Sequence, residues 1–324
     1  MKSLMQLSEI EQERQAAIKL YQLKWPGGFE CPRCGCGRCY TIQSRRHPLF
    51  ECVDCRHQTS LTAGTIMEGS RTPLSKWFTA IDLISRLTKG TTAVELSKMI
   101  QVTYKTAWLI LHKICHALGQ YEDQRKLTGT VRMNKSKYGH PLSSTIYRHP
   151  DEHPLLAAIS LSEQDEVMQL KIKAIDDKHC DGNSPMNRAR EAFAQKYIDK
   201  HADLQGRKVS PAATKQPLIR SVCAQACQWL NMTFHGLGGK HLNAYLDEYC
   251  CRLNLAAVWQ ESLPDRLASI CALYPRVTYA ALVNKPYTHV LPPSYYLAKN
   301  QNRFAGSAYL QNSQNSNESN YSIA

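Results

Sequence analysis

The chain lacks long apolar runs. Its longest uncharged stretch, Ser221 to Gly239, is broken by Gln225, Gln228, Asn231, Thr233 and His235, which are costly in hydrocarbon and argue against a membrane span. No apolar core of signal-peptide length follows Met1, because Glu9, Glu11 and Glu13 come at once, so a cytoplasmic, nucleoid-associated protein with reduced thiols is expected. No internal repeat, nucleophile elbow, Walker loop or dinucleotide fingerprint occurs, which leaves the enzyme classes built on those motifs without support. Carboxylates are missing from two long windows. There is no Asp or Glu from Gln124 through Pro150, and none from Leu204 through Leu246.

What is present is basic. Across 324 residues, Lys and Arg number 40 against 27 Asp and Glu, a formal net charge of +13. Such an excess points to a polyanionic partner, with nucleic acid first. Hydrophobic residues at 43% and charged residues at 21% fit a globular chain of two or more domains and exclude a wholly disordered chain, a coiled coil and a collagen-like fibre.

Six of the 13 cysteines lie between Cys31 and Cys55. Cys31-Pro-Arg-Cys34-Gly35 and Cys52-Val-Asp-Cys55 are two C-x-x-C pairs. Together they supply four thiolates to one tetrahedral, structural Zn²⁺. The glycine after the first pair allows a tight knuckle. A redox dithiol needs only one such pair, so it is the weaker reading. Cys36 and Cys39 form a third pair inside the loop and are read as spare thiols, with exchange into the ligand set left open. Residues 29–60 have too few aliphatics for a core of their own, so the metal is expected to hold them. Arg33, Arg38, Arg45, Arg46 and Arg56 surround the cluster as candidate phosphate contacts, against a plain solvated basic face.

Before the cysteines, Ser8 caps an expected helix over 8–22, which Trp25-Pro26-Gly27-Gly28 stops. After them, residues 72–120 carry amphipathic stretches at 74–87, 92–100 and 103–119. Within these, Ala93, Leu96 and Ile100 form one apolar face, Val102 a turn hydrophobe, and Ala107, Ile110, Leu111 and Ile114 a second face behind Thr103 as cap. This is a helix-turn-helix pattern, which a plain helical hairpin shares. It leaves Thr103, Tyr104, Lys105, Thr106 and Trp108 at the start of the second helix, where such motifs meet DNA. From 127 the pattern turns to strands, at Leu127–Met133, Leu155–Leu161 and Val167–Ala174, the last two joined by a polar turn. Helices are expected over 187–202 and 240–253, and a disordered Asn-, Ser- and Gln-rich tail over 300–324.

Several stretches resemble zinc-ribbon insertion-sequence transposases of the ISXO-like group. They are Cys31-Pro-Arg-Cys34-Gly35, Phe50 to Ser60, Thr62 to Met67, Pro73-Leu74 and Trp77-Phe78. Further on come Lys240-His241-Leu242, Tyr245-Leu246, Glu248, Arg252, Asn254 and Thr278-Tyr279. The resemblance spans about residues 10–280. Following the N-terminal helix (1–28), it implies an α+β multidomain protein with a zinc ribbon (29–68), a helix-turn-helix region (72–120) and an RNase H-like α/β domain (126–283). In the family that last domain cuts and joins DNA, transposon ends included, with bound Mg²⁺.

Such chemistry needs converging carboxylates to hold two divalent metals. Where the resemblance places the first Asp and its neighbouring Glu, this chain has Asn134 and Lys135; counting back from His235 puts Arg220 and Cys227 at the later positions. An amide is a neutral ligand and a lysine repels a cation. Instead of carboxylates, the two acid-free windows carry six and five basic residues. Glu248 is read as a helix-face partner of Arg252, Asp176, Asp177 and Asp181 as an acidic loop, and His149 and His153 as loop residues. The expected function is therefore a DNA-binding protein of an insertion sequence with a degenerate catalytic domain. That domain would serve as scaffold or homo-oligomerisation surface, with structural zinc and no membrane contact. The alternative is an active DDE-type transposase that uses Mg²⁺ at a divergent site including Glu248.

Overall fold

A computed structural model of the chain describes residues 8–43, 46–139, 152–176, 179–181, 184–205, 217–259 and 262–284. Arg45, His149, Asp177 and the 300–324 tail lie outside these residues.

Helix α1 (Glu9–Lys24) starts at Ser8, whose hydroxyl accepts from the Glu11 N–H. Strands β1 (Cys39–Ile42), β2 (Leu49–Cys52) and β3 (Gln58–Ser60) form a small antiparallel sheet. Leu49 is the buried aliphatic of these strands, and rings supply most of the rest of the packing. Phe29 and Phe50 stack at 5.7 Å and meet Tyr21 of the helix and Trp25 at its C-cap, so the end of α1 roofs the sheet with rings.

Three helices follow: α2 (Leu74–Ser85), α3 (Ala93–Met99) and α4 (Tyr104–Gln124). A capping box between Thr92 and Glu95 starts α3. Thr103 starts α4, its hydroxyl accepting from the Thr106 N–H at 3.3 Å. Between them Gln101 turns the chain at φ 51°.

The second sheet contains β4 (Thr130–Tyr138), β5 (His153–Leu161), β6 (Val167–Ala174) and β9 (Asp203–Gln205), in the order β6-β5-β4-β9. The β4, β5 and β6 strands form an antiparallel meander. Helix α5 (Asn187–Tyr197) then carries the chain across so that β9 runs parallel to β4. Two short strands, β7 (Cys180–Asp181) and β8 (Ser184–Pro185), pair in between. Helices α6 (Pro217–Phe234), α7 (Gly239–Trp259), α8 (Leu263–Leu273) and α9 (Tyr279–Val283) complete the described chain.

Every residue of β5 is buried because both faces are covered. Leu155, Ala157 and Ile159 join the large core with α4, α6 and α7, whereas Leu156 and Ala158 join a smaller core with Phe193 and Tyr197 of α5. Each buried Leu, Ile or Phe among them is worth roughly 1.5–3 kcal/mol of apolar burial.

Several sequence expectations need correcting. Strand β4 begins and ends later than the expected 127–133, because Leu127 leaves the sheet to bridge Ile198 and pairing continues out to Tyr138 opposite His153. His153 is therefore a buried strand residue whose ring stacks on Tyr138 at 6.3 Å, and not a loop residue. The helix expected over 187–202 stops at Tyr197, and the chain then enters β9. Helix α6 is not anticipated by charge or caps; its buried face is Ile219, Cys223, Ala226 and Leu230.

Candidate metal centre and nucleic-acid interface

The two C-x-x-C pairs fold into two copies of one turn. In the first, Cys31 N–H donates to Cys36 O at 3.0 Å and Gly35 N–H to Cys31 O at 2.9 Å. In the second, Cys52 N–H donates to His57 O at 3.0 Å and Arg56 N–H to Cys52 O at 3.1 Å. Gly35 has φ 74°; Arg56, in the matching position, has φ 56°. The second knuckle thus adopts the left-handed backbone without a glycine, at a small local cost.

The turns bring Cys31, Cys34, Cys52 and Cys55 together, with all four sulfurs within 4.8 Å of one another. Cys31 and Cys55 Sγ are 3.6 Å apart, and Cys34 and Cys52 Sγ 3.5 Å. A tetrahedral zinc with bonds of about 2.3 Å sets its sulfurs roughly 3.8 Å apart, so this donor set is consistent with structural zinc. N–H groups of Cys55 and Asp54 approach Cys52 and lower its thiol, whereas at Cys34 the Cys36 N–H is outweighed by hydrogen bonds with the neighbouring sulfurs, which raise its thiol. Cys36 Sγ instead accepts from the Arg38 N–H at 3.4 Å, and neither Cys36 nor Cys39 belongs to the four-sulfur group.

The arginines around the cluster are largely engaged within the chain. Arg38 pairs with Asp54 at 3.1 Å and Arg56 with Glu51 at 3.3 Å. Arg46 donates to Glu13 at 3.1 Å and to the Arg71 carbonyl at 2.8 Å. Arg46 shares a cleft of about 1170 Å³ with Lys76 and Gln101, so the ribbon and the α3–α4 turn face one hollow.

At the start of α4, Tyr104 is 55% exposed and Lys105 is open to solvent. The Thr103 and Thr106 hydroxyls meet at 3.0 Å. Trp108 is half-buried, its ring 4.0 Å from His112 and 5.7 Å from His241. The start of α4 thus offers two surfaces, an exposed one at Tyr104 and Lys105 and a ring-packed one at Trp108.

On the second sheet, Asn134 and Ser136 share the β4 face turned to α6. There the Cys227 thiol lies 3.6 Å from the Lys137 carbonyl. Asn134 accepts from the Lys135 N–H at 2.8 Å through its side-chain oxygen. The Cys227 thiol is pushed up to about 12 by burial, so it is a poor thiolate ligand. Among the described residues, only the four ribbon cysteines make a group of three or more metal-ligating side chains close enough for one ion. Glu248 is 1% exposed. One carboxylate oxygen is 3.4 Å from Arg252 Nε and the other takes the Cys115 thiol at 3.3 Å. Burial pushes its carboxyl up despite Arg252. Asp247 is 2.6 Å from Lys173, which also holds Asp123 at 2.9 Å. The sequence reading missed this lysine link; alternating charges on β6 were its only trace.

Residues 11–58 match the family model described as a transposase zinc-ribbon domain. The chain is also 32% identical over 116 residues to a protein of the transposable element ISH50 in Halobacterium salinarum. That likeness covers 36% of this chain and 39% of the relative, so the matched part spans about two fifths of that protein. No solved structure matches the chain. The N-terminal part is thus a zinc-ribbon-like unit of the kind found in insertion-sequence transposases.

Proposed function

We propose that this chain is a DNA-binding protein of an insertion sequence whose transposase-type nuclease centre has lost its carboxylates. The observation that carries the reading is the four-cysteine cluster within a segment that matches a transposase zinc ribbon. Cys31, Cys34, Cys52 and Cys55 hold the zinc, which supplies no chemistry beyond closing the two knuckles. The helix pair α3–α4 acts as a helix-turn-helix, with Tyr104, Lys105 and Thr106 toward DNA and Thr103 as the cap that aims them. Arg46, tied to Glu13, and Trp108, packed among rings, serve the interface by positioning. Arg45 lies outside the described residues.

The strand order β6-β5-β4-β9, with β9 parallel to β4, supports an RNase H-like domain. Asn134, Arg220 and Cys227 occupy the positions where the resemblance expects catalytic groups. The acid-free windows that contain them support a domain that holds DNA without cutting it. The burial of Glu248 against Arg252 and Cys115 supports a structural role for that carboxylate, since a catalytic metal ligand must be reachable. Gel-shift titration of a duplex carrying the element's terminal repeat tests the binding. A complex whose affinity falls with rising salt is expected; equal mobility of free and mixed DNA at low salt overturns the proposal.

A further inference from the structure

Between the start of α4 and the α6–α7 turn lies a groove of about 660 Å³ lined in part by rings. Tyr104 and Trp108 come from α4, Phe234 from the end of α6, and His241 and Tyr245 from α7. The rings are already packed. Phe234 and Tyr245 lie 4.3 Å apart, and Trp108 meets His241 edge-on at 5.7 Å. The Tyr245 hydroxyl and His112 Nε2 meet at 3.2 Å on the buried side. A Cβ at Gly90 would come within 2.6 Å of Thr233 and 2.7 Å of Trp229, so the α2–α3 loop is seated hard against α6 and the groove's wall is fixed.

Its charge is one-sided. The lining carboxylate is Glu95, which already holds Lys89 at 2.5 Å and accepts from the Thr92 N–H and hydroxyl. The α6–α7 wall lies in a stretch with no acid at all, and exposed Lys240 stands at its rim. A groove edged by the exposed Tyr104 ring and the half-buried rings of Trp108 and His241, with a positive rim and a carboxylate already paired to Lys89, suits a flat ring that carries a phosphate. Bases inside a duplex are stacked and do not reach such a slot, whereas an unpaired base does.

We propose that this groove binds an unpaired nucleobase and its flanking phosphate in single-stranded DNA. The inference rests on the reading that the start of α4 meets DNA. It adds that the same helix end offers Lys105 to a duplex and the Trp108 side to an extruded base.

The test uses the full chain with zinc bound and two labelled probes of equal length: an oligodeoxythymidine containing one 2-aminopurine, and a mixed-sequence duplex. The 2-aminopurine emission is expected to fall on saturation, because the base stacks on the groove rings. His241→Ala is expected to weaken single-strand binding about fivefold or more, with duplex affinity within about twofold of the parent. Lys240→Ala, at an exposed position that folding does not need, should weaken the single strand in the same direction. Unchanged emission, or single-strand affinity unchanged in both variants while the duplex still binds, overturns this inference alone. Loss of duplex binding in the parent protein with single-strand quenching intact overturns the proposed function and leaves the groove assignment standing.

Discussion

Glu13 caps a helix to which it does not belong. Its Oε2 accepts from the Ser75 N–H and from the Ser75 hydroxyl, both at 3.0 Å, across 62 positions of sequence. Its Oε1 accepts from the Leu74 N–H at 2.9 Å. Helix α2 needs this help: its N-cap is Pro73, which offers no side-chain acceptor. The same carboxylate holds Arg46 at 3.1 Å and lies 3.4 Å from His47. One side chain of α1 thereby ties the ribbon to the helical layer.

Removing that carboxylate should loosen the junction. Glu13→Ala is expected to cost about 1–2 kcal/mol, the upper range for a lost cap, read as a lower midpoint in denaturant. Acid should act in the same way. Burial pushes the Glu13 carboxyl up, but the N–H groups of Ser75 and Leu74, the Ser75 hydroxyl and Arg46 bring it below its usual 4.5. A depressed carboxyl stabilises the fold above its unfolded value, and that contribution is lost as pH falls through the folded value. Thermal unfolding below about pH 4.5 should therefore fall less steeply in Glu13→Gln than in the parent.

Zinc removal should act on the ribbon first. With a strong chelator, or in Cys52→Ser, residues 29–60 are expected to become protease-sensitive while the β4–β6 region stays resistant. Elemental analysis should find one zinc per chain in the parent. Retention of ribbon resistance after complete metal loss would contradict the ligand assignment.

Lys105 and Arg46 should separate. Lys105 is exposed at the start of α4, so Lys105→Ala is expected to weaken duplex binding and reduce the salt slope by about one. Arg46 is spent on Glu13 and the Arg71 carbonyl, so Arg46→Ala should lower stability more than DNA affinity. Titrations at two salt concentrations, with melting curves alongside, check both.

Glu248 should behave as a structural residue. Its loss leaves Arg252, itself 1% exposed, without its carboxylate beside Trp229. Breaking such a buried pair costs about 3–5 kcal/mol. Glu248→Ala is expected to unfold at markedly lower denaturant. Glu248→Gln, which keeps an acceptor, should lose less.

Local chemistry in this protein is legible from sequence where polar punctuation marks it. Ser8 and Thr103 are expected caps, and both hydroxyls accept the N–H three residues on. The C-x-x-C spacing leads to the sulfur cluster, and Val167–Ala174 is a strand with the expected bounds. Helix α6 is less legible because its run has no charged residue after Arg220 to mark a solvent face. The Glu13 cap and the ring-lined groove join segments 60 or more positions apart, so no local pattern announces them. Strand β4 is misplaced because its outer half, Lys135 to Lys137, is polar and is held in the sheet by pairing with β5.

Under the proposed function, DNA is held and not cut. Its most direct test is incubation of the full, zinc-loaded chain with an end-labelled duplex carrying the element's terminal repeat, in Mg²⁺ and separately in Mn²⁺, resolved on native and denaturing gels. A shifted complex on the native gel and intact strands on the denaturing gel are expected. Strand nicking that disappears in a folded Glu248→Gln variant would contradict it.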